Sequence, residues 1–391
     1  VAVTLISGDL ATDTIASGQR VVDMDDRISE LEPNNAPFVH LLRRLNKKAA
    51  INPEIRWLEQ VSMPRFDTFS ASATSAATAL GVTNAAYFRV GDGVRITETG
   101  EFIQITGVSA SSIGANRGIG GTTAASATSA AGLYIVNNAN AEGASLRTIK
   151  SVKLTQQNNY CEIIRTPFGV TGTEMASKMY GQYANDRVRL QKVFGLEHER
   201  AIEATSFWGA KKEDTTTSGA PVRFAGGLFE YISTNVTNVA GTLTRASFET
   251  FLRSGFRYGS EEKWLFVSPL VNAALDGFAW NSAASSNGSA WQQYTTDVPA
   301  GAIGVQVKKY YSSQGTVNIV LKRHWNDNAD LRGAAFLVDL PNVTLRTLRD
   351  TKLLMDRQAN DADKIEDEYL SELSFEIQQE ATHAYMKGVT G

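Results

Sequence analysis

Thiols are almost absent from this 391-residue chain, in which Cys161 stands alone. A single cysteine excludes an intramolecular disulfide and argues against a cysteine-based metal site. Imidazoles are also few. His40, His198, His324 and His383 share no short metal-ligand spacing with one another or with Cys161. His198 sits among Glu197, Glu199 and Arg200, and is expected on a solvated or interface-facing helix surface. No apolar run is long enough to cross a bilayer. The opening Val-Ala-Val-Thr-Leu-Ile-Ser-Gly-Asp lacks the basic start and apolar core of a signal peptide. Val1, in place of an initiator methionine, points to processing or trimming. Charge of one sign is missing too: a net charge of −3 predicts no strong general affinity for nucleic acid or acidic membranes.

Catalytic signatures are equally scarce. No Gly-x-Ser-x-Gly elbow anchors a hydrolase triad. The glycine segment Gly114-Ala-Asn-Arg-Gly118-Ile-Gly120-Gly121 lacks the lysine and hydroxyl of a phosphate loop and reads as a tight β-turn. The acidic run Asp361, Asp363, Glu366, Asp367 and Glu368 does not have calcium-loop spacing; it reads as a solvated or partner-facing strand end. Cys161 lies in a strand beside Tyr160 and Ile163 with no base near in sequence, as a small buried side chain would. Asn235-Val-Thr237, Asn287-Gly-Ser289 and Asn342-Val-Thr344 fit the glycosylation pattern by chance, for want of a secretory signal. Neither a metal nor a cofactor is expected.

What the chain does have is 42% hydrophobic and 20% charged residues, a soluble globular composition long enough for two or three domains. Its dominant element is a predicted helix over Glu174–Trp208. Met175, Met179, Tyr183, Leu190, Phe194, Ala201, Thr205 and Trp208 fall on one stripe, and Thr173 is placed to cap it. Unbroken, that helix would be roughly 50 Å long.

Around it, residues 1–24 are small and polar and read as an extended arm. An acidic stretch, Asp23–Glu32, and a turn between Pro33 and Pro37 follow. A short basic amphipathic helix is predicted over Phe38–Leu45, with Pro37 at its first position. Ile51–Glu59 is expected to be extended. Residues 64–86, rich in Ala, Ser and Thr, read as a flexible or weakly ordered connector. Residues 85–141 then show short strands between glycine turns, an insertion with its own small antiparallel core. Asn158–Pro167 is strand-like up to the proline. Residues 240–340 alternate helix and strand signals as a separate α/β layer, and a Val305-Gln-Val strand belongs to it. Near the C-terminal end, a basic strand with Arg346 and Arg349 and an acidic strand with Glu372 and Glu376 are suited to pair across one sheet.

Polar arm, β excursion, long helix and α/β layer, with no chemistry in any of them, point to a self-assembling structural protein. The order of parts resembles the major capsid proteins of tailed bacteriophages with the Hong Kong 97 fold, in the branch with a β-domain inserted in the extended loop. The resemblance rests on Pro33 to Pro37, Val90-Gly-Asp-Gly-Val-Arg-Ile and Arg117-Gly-Ile-Gly-Gly-Thr. It continues through Glu142-Gly143, Asn159-Tyr160 to Arg165-Thr166-Pro167, Gly172-Thr173, Leu196-Glu-His-Glu-Arg-Ala-Ile-Glu, Gly226-Gly227-Leu228 and Tyr231-Ile232. It implies an α+β fold with an N-terminal arm (1–49) and an extended loop (50–160). A peripheral domain (161–227 and 341–391, spine helix 174–208) and an axial domain (228–340) follow.

It further implies pentamers and hexamers in an icosahedral virion shell, assembled in the bacterial cytoplasm around double-stranded DNA that is not read by sequence. Portal and scaffolding proteins are the implied partners, with a decoration protein a further candidate; no membrane and no catalysis are implied. Candidate subunit-contact residues are Glu197, Glu199, Arg200, Glu203, Arg346, Arg349, Glu372 and Glu376. The alternatives are another phage structural protein, such as a tail-tube or decoration protein, and an enzyme using Asp and Glu groups.

Overall fold

The computed structural model describes residues 36–177, 186–216, 219–283, 294–295 and 307–390. The expected arm, the acidic Asp23–Glu32 stretch and residues 178–185 of the expected helix lie outside the described residues, as do Val305 and Gln306 of the expected Val305-Gln-Val strand. The chain divides into two compact units, one of Leu58–Gln156 and one made of the segment up to Trp57 together with Gln157 onward.

In the smaller unit, six strands form an antiparallel sheet in the order Phe66–Thr68, Gly132–Asn138, Asp92–Ile96, Phe102–Val108, Ser112–Asn116, Ala79–Gly81. Alternation puts Val94, Ile96, Ile103, Ile105, Ile113 and Leu133 into one core. The stretch 64–86 is no flexible connector. It supplies the first and last strands of the sheet, and Phe69, Leu80 and Val82 are buried in the same core. Its small residues permit a close backbone bridge, Ala73 to Ala127. The glycine segment is the tight turn expected, with Gly118 at φ 67° and Gly120 at φ 69°. Beneath it lies a buried ion pair. Glu101 takes Arg117 Nε and Nη2, each at 2.7 Å, and the amides of Gly118 (3.1 Å) and Ala125 (3.2 Å).

The described residues of the larger unit hold two main sheets, beside a two-stranded pair of Lys212–Asp214 with Val222–Phe224. The four-stranded one runs Lys47–Ala49, Val343–Leu354, Lys364–Ile377, Glu162–Thr171. The basic and acidic strands pair antiparallel, with Arg349 opposite Glu372. Glu162–Thr171 continues through Pro167, opposite Glu368, where the sequence pointed to a stop. It is an edge strand, where a missing N–H need not break the ladder.

The seven-stranded sheet runs Val236–Gly241, Ala384–Val389, Ala335–Val338, Glu262–Val267, Gly315–Leu321, Val307–Ser312, Tyr294–Thr295. Helix Arg245–Gly255, closed by a Thr244/Ser247 capping box, packs Phe248, Phe251 and Leu252 into the core of this sheet. The α/β layer is therefore not closed by residues 240–340. Ala384–Val389 enters between two of its strands and buries Ala384, Tyr385, Met386 and Val389.

The long helix is shorter than predicted. Thr171, not Thr173, accepts the Glu174 amide and caps a single turn, Gly172–Ala176. Ser177 leaves the helix at φ −80°, ψ 139°, its hydroxyl donating to the Thr173 carbonyl. The main helix is Asp186–Trp208, 23 residues or about 35 Å. Its most buried residues are His198, Ile202, Glu203, Ser206 and Phe207. Ile202 and Ser206 each follow by one residue the predicted stripe positions Ala201 and Thr205, so the deeper face is turned by about 100°. Phe194 stacks on Phe168 with centroids 5.4 Å apart. At Gly195 an added Cβ would lie 3.2 Å from Tyr369 Oη, so glycine lets the sheet approach.

Candidate assembly surfaces

The charged residues predicted to face neighbours divide sharply by environment. Glu203, 5% exposed, is an internal residue. Its carboxylate accepts the Phe38 (3.1 Å) and Val39 (2.8 Å) amides at the start of helix Pro37–Leu45, and the Lys322 ammonium. A carboxylate there satisfies free first-turn amides and the helix dipole together. Burial lowers the Lys322 pKa against the opposing pull of Glu203. Beside them Phe38, Phe207 and Phe266 form an aromatic cluster. The expected surface role of Glu203 is thus corrected: it fastens the first described helix to the long one.

Glu199 adds to that fastening through Arg43 and through His40 at 3.2 Å. Glu197 pairs with Arg200 one turn along at 3.1 Å, and its side chain stays mostly in solvent. On the strands, Arg346 meets Glu376 at 2.7 Å and Arg349 meets Glu372 at 2.6 Å. Both glutamates are buried, while the Arg349 guanidinium is about half exposed. These residues meet in internal pairs and do not gather into one patch.

Several buried polar groups escaped sequence reasoning. His198 is fully buried, not solvated, between Thr166 Oγ1 (2.9 Å) and Ser371 Oγ (2.7 Å). Burial first, then the nearby Arg43 charge, pushes its pKa down. His383 lies at the Asp339 amide (3.1 Å), and burial lowers its pKa to about 4. Lys263 donates to the carbonyls of Gly255, Tyr258 and Thr382 at 2.6–2.7 Å, and burial lowers its pKa to about 8. Its one sequence signal was a lysine entering the apolar run Trp-Leu-Phe-Val. Cys161 is buried, as expected, and burial raises its thiol to about 11, which disfavours the thiolate. Among the described residues, no three His, Cys, Asp or Glu are placed to hold a metal ion, and no helix is long and apolar enough to cross a membrane.

Large apolar side chains are left in solvent at many places along the described chain, among them Ile51 (91% exposed) in the larger unit and Leu146 (87%) and Ile149 (81%) in the smaller. Scattered exposed apolar residues are ordinary, but concentrations of them mark surfaces that another protein covers.

The model of the SU10 major capsid protein family matches residues 8–390. The chain belongs to that family. Among solved structures, the cyanophage A-1(L) capsid subunit superposes with a TM-score of 0.55 at 10% identity, covering 97% of this chain and 100% of that one. The subunit in the capsid of an empty GTA particle, computed with C5 symmetry, gives a TM-score of 0.50 at 10% identity, covering 97% and 98%. No curated protein matches in sequence. At this identity the likeness speaks for the fold, which is the Hong Kong 97 fold. The capsid protein is a self-assembling structural subunit, located in the virion shell. Exposed apolar side chains such as Leu146 and Ile149 are the kind that assembly covers.

Proposed function

We propose that this capsid protein closes into an icosahedral head of pentamers and hexamers around double-stranded DNA, in the cytoplasm of a bacterial host. The supporting observation is the family match over residues 8–390. In this reading residues 1–49 act as the arm and 50–160 as the extended loop carrying the β unit. Residues 161–227 and 341–391 form the peripheral domain, and 228–340 the axial domain, to which the strand Ala384–Val389 contributes. Glu197, Arg200 and the exposed side of Arg349 are the charged groups best suited to neighbouring subunits. Portal and scaffolding proteins are the partners of assembly, and a decoration protein is a further candidate. DNA is held by confinement, as a net charge of −3 gives no broad phosphate-binding surface.

Electron microscopy and sedimentation of the protein expressed with its scaffold test this reading. Closed shells or capsomers are expected. A stable monomer under every assembly condition, absent from purified particles, refutes it.

A further inference from the structure

The β unit contains a cavity of about 430 Å³ whose wall includes Arg65, Arg89 and Arg147, with Asp92 its one acidic residue. Lys150 stands at its edge, its ammonium donating to the carbonyls of Ala86 and Phe88. Asp92 bonds Arg147 Nη2 at 2.5 Å and the Arg89 amide at 2.7 Å, so its charge is already engaged. Arg89 Nη2 finds only neutral partners, Met63 Sδ at 3.2 Å and the Lys150 carbonyl at 3.5 Å. Arg147 Nε is buried without a hydrogen-bond partner, and Arg65 is exposed with no ion pair among the described residues. Burial lowers the Lys150 pKa, and repulsion from Arg89 lowers it further. Four cations are thus held together against one carboxylate, which favours an incoming anion.

The same chain carries a matching acidic feature in its other unit. Between the strands Val343–Leu354 and Lys364–Ile377, the turn exposes Asp361 and Asp363. Their carboxylates have no ion pair among the described residues, whereas Glu366 pairs with Lys364, Asp367 with Arg187, and Glu368 with Arg165. Rings are built from head-to-tail interfaces, in which one patch of a subunit meets a different patch of the next. We propose that the Arg65/Arg89/Arg147 cavity of one subunit receives the Asp361/Asp363 turn of a second copy of this chain. The inference rests on the assembly reading above and gives it a specific contact.

Charge exchange tests it in the full-length protein. Arg65→Glu and the pair Asp361→Lys with Asp363→Lys are each expected to weaken subunit self-association about tenfold in low-salt sedimentation velocity, the effect of reversing a few partly exposed ion pairs. Thermal melting of each is expected to match wild type, because these side chains make no internal ion pair. Combining all three substitutions is expected to restore association. Unchanged association in the single-site set, or no restoration in the combination, overturns the contact. Loss of DNA binding by Arg65→Glu with association intact assigns the cavity to phosphate and likewise overturns it. Pairwise association is read on unassembled subunits. A wild type that associates in this charge-dependent way but never closes a shell refutes the proposed head and leaves the contact standing.

Discussion

Replacing Arg117 with methionine should unfold the β unit far more readily than a single surface-distant change elsewhere. Glu101 is fully buried and accepts four N–H donors, two of them from Arg117. Arg117 also donates to the carbonyls of Thr74, Ala77 and Ala125 at 2.7–3.0 Å. The substitution keeps most of the volume but leaves a buried carboxylate with two amides and no counter-charge, at a cost of about 3–5 kcal/mol. For a unit of about a hundred residues that is a fall in melting temperature on the order of 20 °C.

The pH dependence should change sign as well. Burial raises the Glu101 pKa, and the Arg117 bonds with the Ala125 and Gly118 amides outweigh it, leaving the group below its ordinary 4.5. In wild type this stability is therefore present above pH 4.5 and lost as pH falls through the folded value. Without Arg117 burial prevails, and the variant should gain stability relative to wild type on mild acidification. Calorimetry of the unassembled subunit from pH 7 to 4 reads both effects. The double variant Glu101→Leu, Arg117→Met should recover much of the loss, since an apolar pair of similar volume replaces a buried ion pair at little cost. A single variant that melts within a few degrees of wild type, with the same pH profile, refutes the reasoning. A double variant no better than the single one moves the cost to the three carbonyls.

Lys322→Met should destabilise the larger unit by about 3 kcal/mol, because Glu203 then keeps only the Phe38 and Val39 amides; denaturant melts measure it. Cys161 should resist thiol reagents at pH 8 in the folded subunit and react at once in denaturant, its thiol being buried and raised to about 11. The His383 pKa of about 4 lies below that of an unfolded histidine, so the unfolded chain binds more protons between about pH 6.5 and 4. Stability should fall on acidification through that window, and His383→Asn should flatten that part of the profile in melts taken at each pH.

The strand pairing near the C-terminal end was legible because one strand is basic, with Arg346 and Arg349, and in the other Glu372 and Glu376 alternate with Leu373, Phe375 and Ile377; the register shift between Thr347 and Arg349 was not. A helix over Ser247 to Arg257 was readable from Phe248, Phe251, Leu252 and Phe256 on one side, but its true start at Arg245 and its cap, Thr244, were not. The buried face of the long helix was not. His198, Glu203 and Ser206 look like solvent residues until their partners are known, and Ser371 lies 173 positions from His198, Lys322 119 from Glu203. Periodicity therefore favoured Leu190, Ala201 and Thr205. The Ala/Ser/Thr stretch failed for another reason: its strands are three residues long and each buries a single side chain, Asp67 in one and Leu80 in the other, too few for alternation to register. As for the candidate contact residues, sequence identified the charges but not their partners, and so could not separate Glu203 from Glu197.

The strand Ala384–Val389 sets an order of events during synthesis. Its two neighbours in the sheet, Val236–Gly241 and Ala335–Val338, leave the ribosome well before it does, and until residue 384 emerges they face an open slot. A growing chain can complete its β unit, whose strands are all close in sequence, but it must hold the seven-stranded sheet unfinished. A message cut short anywhere before that strand yields a product with two unpaired strand edges and the Phe336–Tyr385 stack undone. Completion of this sheet therefore waits on Ala384–Val389, however early its other strands are made.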